Sequence, residues 1–187
     1  MVERVCVFCG SRNGLAPLHR RQAERLGRLI GEAGLALIYG GGDIGLMGAC
    51  ADAAVTAGGR VHGYIPERLL QREVGHRGIT ELVLTKDMFE RKAKMIAAAD
   101  AFIVIAGGLG TLDEFFEVLT LRQLGYHDKP IVLVAEGGYW EPLGALLAHV
   151  VEAGFADRSI ETLYEVVASV DGAIDVLGAT APATAAQ

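Results

Sequence analysis

The sequence has no uncharged apolar stretch that approaches the roughly 18 residues of a membrane-spanning helix, and no apolar region of signal-peptide length at its start. Cysteine is also scarce: the three that occur, Cys6, Cys9 and Cys50, match neither zinc-finger nor disulfide-framework spacing. We therefore expect a protein of the reducing cytoplasm. Cys6 and Cys9 form a C-x-x-C pair inside and at the end of an apolar run, which favours buried strand residues over a redox pair.

Positive charge is low as well. The chain has 17 Lys and Arg against 23 Asp and Glu, a net charge of -6, so a broad binding surface for polymeric nucleic acid or an anionic membrane is not expected. A small anion held by a few local donors stays compatible with this charge. The five histidines lack metal-ligand spacing, and we predict no metal and no other cofactor. The G-x-S-x-G of serine hydrolases and the G-K-[ST] of Walker A loops are also missing.

Glycine, by contrast, is abundant. The 187 residues include 25 glycines, about 13% against a usual value of roughly 7%, without the three-residue period of collagen. With 51% hydrophobic and 21% charged residues, the chain has the composition of one ordinary globular domain. The positions of the glycines are therefore the main guide to function.

Apolar runs of strand length alternate with segments of helical periodicity along most of the chain. The predicted strands are 4–8, 35–39, 60–65, 80–84, 101–106, 131–135 and 163–167, and the predicted helices are 18–33, 44–57, 88–99, 111–124, 139–153 and 171–177. Residues 67–78 read as a short helix and an irregular loop. Because continuous apolar strands indicate a sheet covered on both faces, we predict an α/β fold, a doubly wound (Rossmann-like), mostly parallel sheet of about seven strands flanked by helices. We expect a single domain over 1–178 and a loose tail over 179–187.

Three glycine clusters directly follow predicted strands: Gly10 with Gly14, residues 40–42, and residues 107–110. The carboxyl ends of parallel strands meet at one edge of a sheet, and ligands bind there in doubly wound folds. This edge is the predicted functional site.

The second cluster, from Gly40 to Gly45, has the G-x-G-x-x-G spacing of a dinucleotide-binding turn between a strand and a helix. Glycines at such a turn also serve close packing, with Asp43 as the helix cap. We favour the packing turn over NAD binding.

The third cluster runs from Gly107 to Thr111 and precedes a predicted helix. Glycines allow backbone N–H groups to approach an anion, and a helix N-terminus adds free donors and partial positive charge. The alternative is a capping box, in which the Glu114 side chain bonds only the backbone of Thr111. The pattern leaves a capping and a catalytic role for Glu114 equally open.

A charged run, residues 90–95, follows Asp87, the predicted N-cap of the preceding helix. The run is typical of a solvated helix face with an Asp87–Arg91 ion pair. Its position just before the strand that leads to the third cluster also allows Arg91 or Lys92 to point toward the site.

Three segments together resemble a known family in their order and spacing: residues 39–48 (YGGGDIGLMG), residues 90–92 (ERK) and residues 107–114 (GGLGTLDE). They are similar to the Lonely Guy family of cytokinin-activating phosphoribohydrolases, long mislabelled lysine decarboxylases, and the likeness covers about residues 5–177. The resemblance implies hydrolysis of the N-glycosidic bond of a nucleoside 5'-monophosphate to free base and ribose 5-phosphate. It implies N6-modified AMPs as substrates, with AMP often accepted.

The resemblance also implies roles for particular residues. Arg91 and Glu114 match the catalytic pair: Glu114 would stabilise oxocarbenium charge on the ribose and orient or deprotonate the attacking water, and Arg91 would hold substrate hydroxyls or phosphate and keep Glu114 ionised. The phosphate cradle would be formed by Gly107, Gly108, Leu109, Gly110 and Thr111, with further substrate contacts from Ser11, Gly41, Gly42, Glu73, Lys92, Asp113 and Thr120. A homodimer with its active sites near the subunit interface is implied as well.

Two departures from the family pattern stand out. Ala106 replaces the usual Pro before the third glycine cluster, which predicts a less rigid loop with its N–H donors retained. Phe89 replaces a frequent His, which bears on substrate recognition.

Two rival functions remain. The first is a non-catalytic carrier of a nucleotide or the molybdenum cofactor, which would not need both Arg91 and Glu114. The second is lysine decarboxylation, which requires a Schiff-base lysine, and only Lys92 of the four lysines is placed near the predicted site.

Overall fold

The fold is taken from a computed structural model that describes residues 2–70 and 75–178. Strands and helices alternate along the chain. The strands are β1 (Arg4–Phe8), β2 (Ala36–Tyr39), β3 (Arg60–Pro66), β4 (Glu81–Thr85), β5 (Ala101–Val104), β6 (Ile131–Val134) and β7 (Glu165–Val167). The helices are α1 (Pro17–Glu32), α2 (Gly45–Thr56), α3 (Glu67–Leu70), α4 (Met88–Ala98), α5 (Leu109–Gln123), α6 (Glu141–Glu152) and α7 (Val170–Val176), with 3-10 turns at Glu136–Gly138 and Arg158–Thr162.

The seven strands form one sheet in the order β4-β3-β2-β1-β5-β6-β7, and every neighbouring pair is parallel. This confirms the predicted α/β, doubly wound architecture. Strand order runs outward in both directions from the β1–β5 pair, so the topological switch point, where such sheets bind ligands, lies between these two strands.

Side-chain alternation along β1 shows how the sheet separates two cores. Val5 and Val7 lie in the core beneath α1, α2 and α7, whereas Cys6 and Phe8 face the core beneath α4, α5 and α6. The Phe8 ring stacks on Phe102 of β5 with centroids 5.7 Å apart. Both faces of β1 are apolar because both are covered by helices.

All three cysteines are buried free thiols. Cys6 lies in β1 and Cys9 directly follows it, which agrees with the interpretation of this pair as buried residues at the strand. Burial raises the pKa of the Cys6 and Cys9 thiols well above the ordinary value, which disfavours the reactive thiolate. Within the described residues, no helix has both the length and the apolar character needed to cross a membrane.

Two element boundaries differ from the sequence prediction in ways that matter for the site. Helix α5 begins at Leu109, two residues before the predicted start at Thr111. Helix α6 begins at Glu141, so Tyr139 lies outside it. Gly137 and Gly138 adopt positive φ values of 72° and 73°, which an α-helix does not allow, and Pro142 then fits the first turn of α6. The remaining boundaries lie within about two residues of the predicted ones, and α3 fills the short helix expected in 67–78.

Candidate active site

The loops after β1 and β5 meet at the switch point. The Gly10 N–H donates to the Ala106 carbonyl at 3.0 Å, and a Cβ placed on Gly10 would lie 3.4 Å from the Gly107 Cα. The first and third glycine clusters are therefore neighbours at the carboxyl edge of the sheet, as predicted.

The second glycine cluster supports packing. The N–H groups of Leu46 and Met47 at the start of α2 donate to the Gly10 carbonyl at 3.0 and 3.3 Å, which occupies donors that a dinucleotide would need. Gly45 has φ +67°, and a side chain there would overlap the backbone of Ser11 and Arg12. The packing interpretation is thus supported over NAD binding. The proposed Asp43 cap is wrong, because Ile44 is the N-cap residue and no side chain caps α2.

Gly41 and Gly42 hold the segment that follows residues 71–74. The Gly41 carbonyl accepts the His76 N–H at 3.0 Å, and Gly42 forms an antiparallel bridge with Gly75. Both glycines therefore anchor the chain beside the site. Glu73, predicted to contact substrate, lies outside the described residues.

The third cluster forms an open helix N-terminus. Gly108 is the N-cap of α5, and no side chain of the described residues caps the helix. Residues 108–110 are exposed, and among the described residues no backbone carbonyl accepts the N–H groups of Gly110 and Thr111. These donors and the helix dipole suit a small anion.

The capping-box interpretation of Thr111 and Glu114 is wrong. Thr111 is the third residue of α5 rather than its N-cap, and its buried side chain packs against Gly107, where a Cβ would overlap the Thr111 hydroxyl. Glycine at the N-cap lets the helix start earlier than the threonine suggested. Glu114 contacts Arg91 of the neighbouring helix.

Arg91 and Glu114 form a buried ion pair between α4 and α5. Arg91 is 5% and Glu114 8% exposed, and Nη2 of Arg91 lies 3.8 Å from Oε1 of Glu114. Asp87 accepts the Glu90 N–H at 2.8 Å, which confirms it as the N-cap of α4. The solvated-face interpretation is wrong for Arg91, whose Nη1 instead contacts the Met88 sulfur at 3.7 Å.

Gly40, at the end of β2, makes room for this arginine. A Cβ on Gly40 would coincide with Nη2 of Arg91 and lie 3.0 Å from Cζ. Arg91 can therefore occupy this position only because residue 40 is a glycine. The sequence motif contained this glycine but did not reveal its partner.

Lys92 ties α4 to α5 beside the pair. Its Nζ lies 2.9 Å from Asp113 and 2.8 Å from Glu117. Burial lowers the pKa of Lys92, but hydrogen bonds to Glu117 and Asp113 outweigh this effect, so the pKa is raised overall. An amine held as ammonium is a poor nucleophile for a Schiff base, which argues against lysine decarboxylation.

Sequence reasoning missed a cluster of Asp43, Asp52 and His76, whose ligand atoms lie within 4.8 Å of one another. Nδ1 of His76 accepts the Gly78 N–H at 3.1 Å, so the proton of the neutral ring sits on Nε2. Nε2 lies 3.0 Å from Oδ1 of Asp52. This tautomer makes Nε2 a hydrogen-bond donor rather than a metal ligand, and the cluster holds the 75–78 segment against α2.

The other two predicted substrate contacts, Ser11 and Thr120, lie outside the third glycine cluster and the Arg91–Glu114 pair. Ser11 is half-buried in the loop after β1, with its backbone against Gly45 at the start of α2. Thr120 is exposed on α5, six residues or about 9 Å along the helix axis from Glu114, so the structure does not bring it to the Arg91–Glu114 pair.

Fold and site together define a doubly wound α/β protein with an anion-sized cradle and a buried Arg–Glu pair at its switch point. A sequence family described as possible lysine decarboxylase matches residues 47–177. The chain belongs to this family, known as the Lonely Guy family. A cytokinin riboside 5'-monophosphate phosphoribohydrolase of Rhodococcoides fascians is 43% identical over 92% of this chain and 87% of its own. LOG7 of Arabidopsis thaliana, which has the same activity name, is 43% identical over 82% of this chain and 70% of its own.

Solved structures with the same fold include the molybdenum cofactor binding protein of Rippkaea orientalis and the molybdenum cofactor carrier protein of Chlamydomonas reinhardtii. They superpose with a TM-score of 0.72 each, at 21% and 22% identity. The alignments cover 95% of this chain and 96% and 97% of those chains. At this identity the likeness establishes the fold alone.

Proposed function

We propose that this protein hydrolyses the N-glycosidic bond of adenosine 5'-monophosphates, N6-modified ones included, and releases the free base and ribose 5-phosphate. The observation that carries the proposal is the buried Arg91–Glu114 pair, 3.8 Å apart, beside the uncapped N-terminus of α5. The named activity of relatives at 41–43% identity supports it.

Phosphate binding and bond cleavage involve opposite ends of the same helical turn of α5. The phosphate binds at the N–H groups of residues 108–111 and acts as a remote anchor. Glu114 lies three residues further along α5, about 4.5 Å of axial rise from Thr111. A ribose 5-phosphate anchored at the helix start therefore extends toward the Glu114 carboxylate.

Bond cleavage places positive charge on the ribose while the base leaves with the electron pair of the C–N bond. The Glu114 carboxylate stabilises this charge and accepts a proton from the water that attacks the anomeric carbon, and the departing base takes up a proton from solvent to become the neutral free base. The Arg91 guanidinium, held in place by Gly40 and Met88, orients Glu114 and faces the substrate hydroxyls or phosphate. No step of this scheme needs a metal or a redox cofactor.

The competing function is a non-catalytic nucleotide or molybdenum cofactor carrier, with which the chain shares its fold. A buried ion pair is costly to desolvate and is often no more stable than apolar packing. A protein that only binds a phosphate at α5 has no need for this pair, which favours catalysis.

Incubation with AMP and with isopentenyladenosine monophosphate tests the proposal, with the free base followed by chromatography. We expect base and ribose 5-phosphate in equal amounts. Tight nucleotide binding without release of base would overturn the proposal in favour of the carrier.

We further propose that the protein is a homodimer that buries the apolar face of α4 and α5 near the site. Phe89 and Leu109 are 80% and 87% exposed. They lie one turn before Lys92 and Asp113, which are joined by the 2.9 Å ion pair. Large apolar side chains grouped on one face in this way are typical of protein interfaces.

A charge placed in this face is expected to separate the subunits. Phe89→Glu should shift the mass measured by light scattering from that of a dimer to the 19.8 kDa of one chain. Phe155→Glu is the matched control, because Phe155 is also exposed but follows α6, and it should stay dimeric. A wild-type mass of one chain would contradict the dimer.

A cytoplasmic location belongs to the same proposal. Three buried cysteines that remain free thiols support it.

A further inference from the structure

We propose that Tyr139 is a positioning residue for the phosphate cradle, a role that rests on the proposed function. Its hydroxyl fixes the peptide between Gly107 and Gly108, so that the Gly108 N–H stays directed at the bound phosphate. Tyr139 would act through this peptide and not through the reacting atoms.

The contact is direct. Oη of Tyr139 donates to the Gly107 carbonyl oxygen at 2.6 Å. In a trans peptide the carbonyl oxygen and the following N–H point in opposite directions. A bond that holds the Gly107 oxygen on one side therefore directs the Gly108 N–H to the other side, where no described residue accepts it.

This peptide needs an external restraint because it joins two glycines. Glycine visits conformations closed to other residues, so a Gly–Gly peptide rotates at low cost. Ala106 also lacks the ring by which a proline would fix φ just before these glycines. Two donors from other loops replace that restraint: Gly10 N–H on the Ala106 carbonyl and Tyr139 on the Gly107 carbonyl.

The Tyr139 ring is itself held in place. Its centroid lies 5.1 Å from the His19 ring and 4.8 Å from the Trp140 ring, both edge to face. Trp140 is buried and His19 belongs to the first turn of α1. The positive-φ pair Gly137 and Gly138 turns the chain after β6 so that Tyr139 reaches the cradle. A clamped ring loses little further entropy in making the bond.

Tyr139→Phe tests the role because it removes the hydroxyl and keeps both ring contacts. By calorimetry, we expect ribose 5-phosphate to bind about 3- to 10-fold more weakly, the range for the loss of one hydrogen bond. The KM for AMP should rise by the same factor, while kcat stays within about twofold. Tyr126→Phe makes the same chemical change on an exposed side chain after α5 and should leave both constants unaltered.

The Tyr139→Phe variant also distinguishes a positioning role from a purely structural one. A purely structural role would lower the thermal midpoint and kcat together, with KM unchanged, and would overturn the inference. Wild-type affinity of Tyr139→Phe for ribose 5-phosphate would overturn it too, while AMP hydrolysis by the wild type would leave the proposed function intact. If wild-type protein neither binds ribose 5-phosphate nor releases base, both proposals are wrong.

Discussion

Glu114→Gln should lower kcat for AMP hydrolysis by roughly 1,000-fold or more. The amide keeps the size of the side chain but cannot take a proton from water, and it no longer offers a negative charge to the oxocarbenium-like ribose. General-base catalysis alone contributes about 100- to 10,000-fold, and electrostatic stabilisation adds to it.

Single-turnover release of base, measured beside AMP binding, distinguishes loss of chemistry from loss of binding. The phosphate cradle begins at the start of α5, before Glu114, so AMP affinity should change by less than about tenfold. Thermal unfolding should also shift downward, because the variant leaves the buried Arg91 guanidinium without its carboxylate.

Glu117→Gln is the matched control in the same helix. Glu117 bonds Lys92 at 2.8 Å, but Lys92 keeps Asp113 when Glu117 is neutralised. We expect its kcat to fall less than about tenfold. If Glu114→Gln retained the activity of Glu117→Gln, Glu114 would not be the catalytic carboxylate and the proposed mechanism would be wrong.

The location of the site could be predicted from the sequence because it depends on the sheet. The shortness of apolar runs such as 101–106 favours buried strands, and parallel strands carry their following loops to one edge. Gly10 and Gly107 were therefore expected at one edge, and the observed pairing of β1 with β5 makes them neighbours, as the Gly10–Ala106 hydrogen bond shows. The resemblance to the Lonely Guy family added the residue identities that a fold alone does not carry.

The wrong expectations share a physical reason: each involved a choice between local and long-range contacts. Thr111 to Glu114 fits a capping box locally, but the helix begins at Leu109 because Gly108 has the extended backbone of an N-cap residue and Tyr139, from another loop, holds the Gly107 carbonyl. The apolar periodicity of residues 139–153 predicts a helix that starts at Tyr139. It carries no information on the positive φ angles of Gly137 and Gly138, which precede the observed helix start at Glu141. Arg91 looks solvated in a charged run, and only the packing of α4 against α5 and β2 buries it.

The Gly40 position makes a second prediction with a large effect. Gly40→Ala should reduce kcat/KM for AMP about 100-fold or more while the protein stays folded. The added Cβ would overlap Nη2 of Arg91 and would lie 3.0 Å from the Met47 sulfur. The guanidinium is the end of a long, flexible side chain, so it can swing away at low structural cost. In doing so it leaves Glu114, from which Nη2 lies 3.8 Å in the native arrangement.

The test is to measure kcat/KM and the free energy of unfolding of Gly40→Ala separately. Disrupting the buried pair should cost at most roughly 3–5 kcal/mol of unfolding free energy, less than the roughly 5–15 kcal/mol that holds a domain together. The control is Gly144→Ala in α6, where a Cβ meets no atom within 4 Å. That change should leave kcat/KM unaltered and raise stability by about 0.5–1 kcal/mol.

A double-mutant cycle with Arg91→Met identifies the cause. If Gly40→Ala acts only by displacing the Arg91 guanidinium, the double variant should be no less active than Arg91→Met alone, because the displaced group is already gone. Steady-state kinetics with AMP on the four proteins measures this directly. Additive losses would show that Gly40 supports activity by another route, and full activity of Gly40→Ala would show that the native Arg91 position is not required.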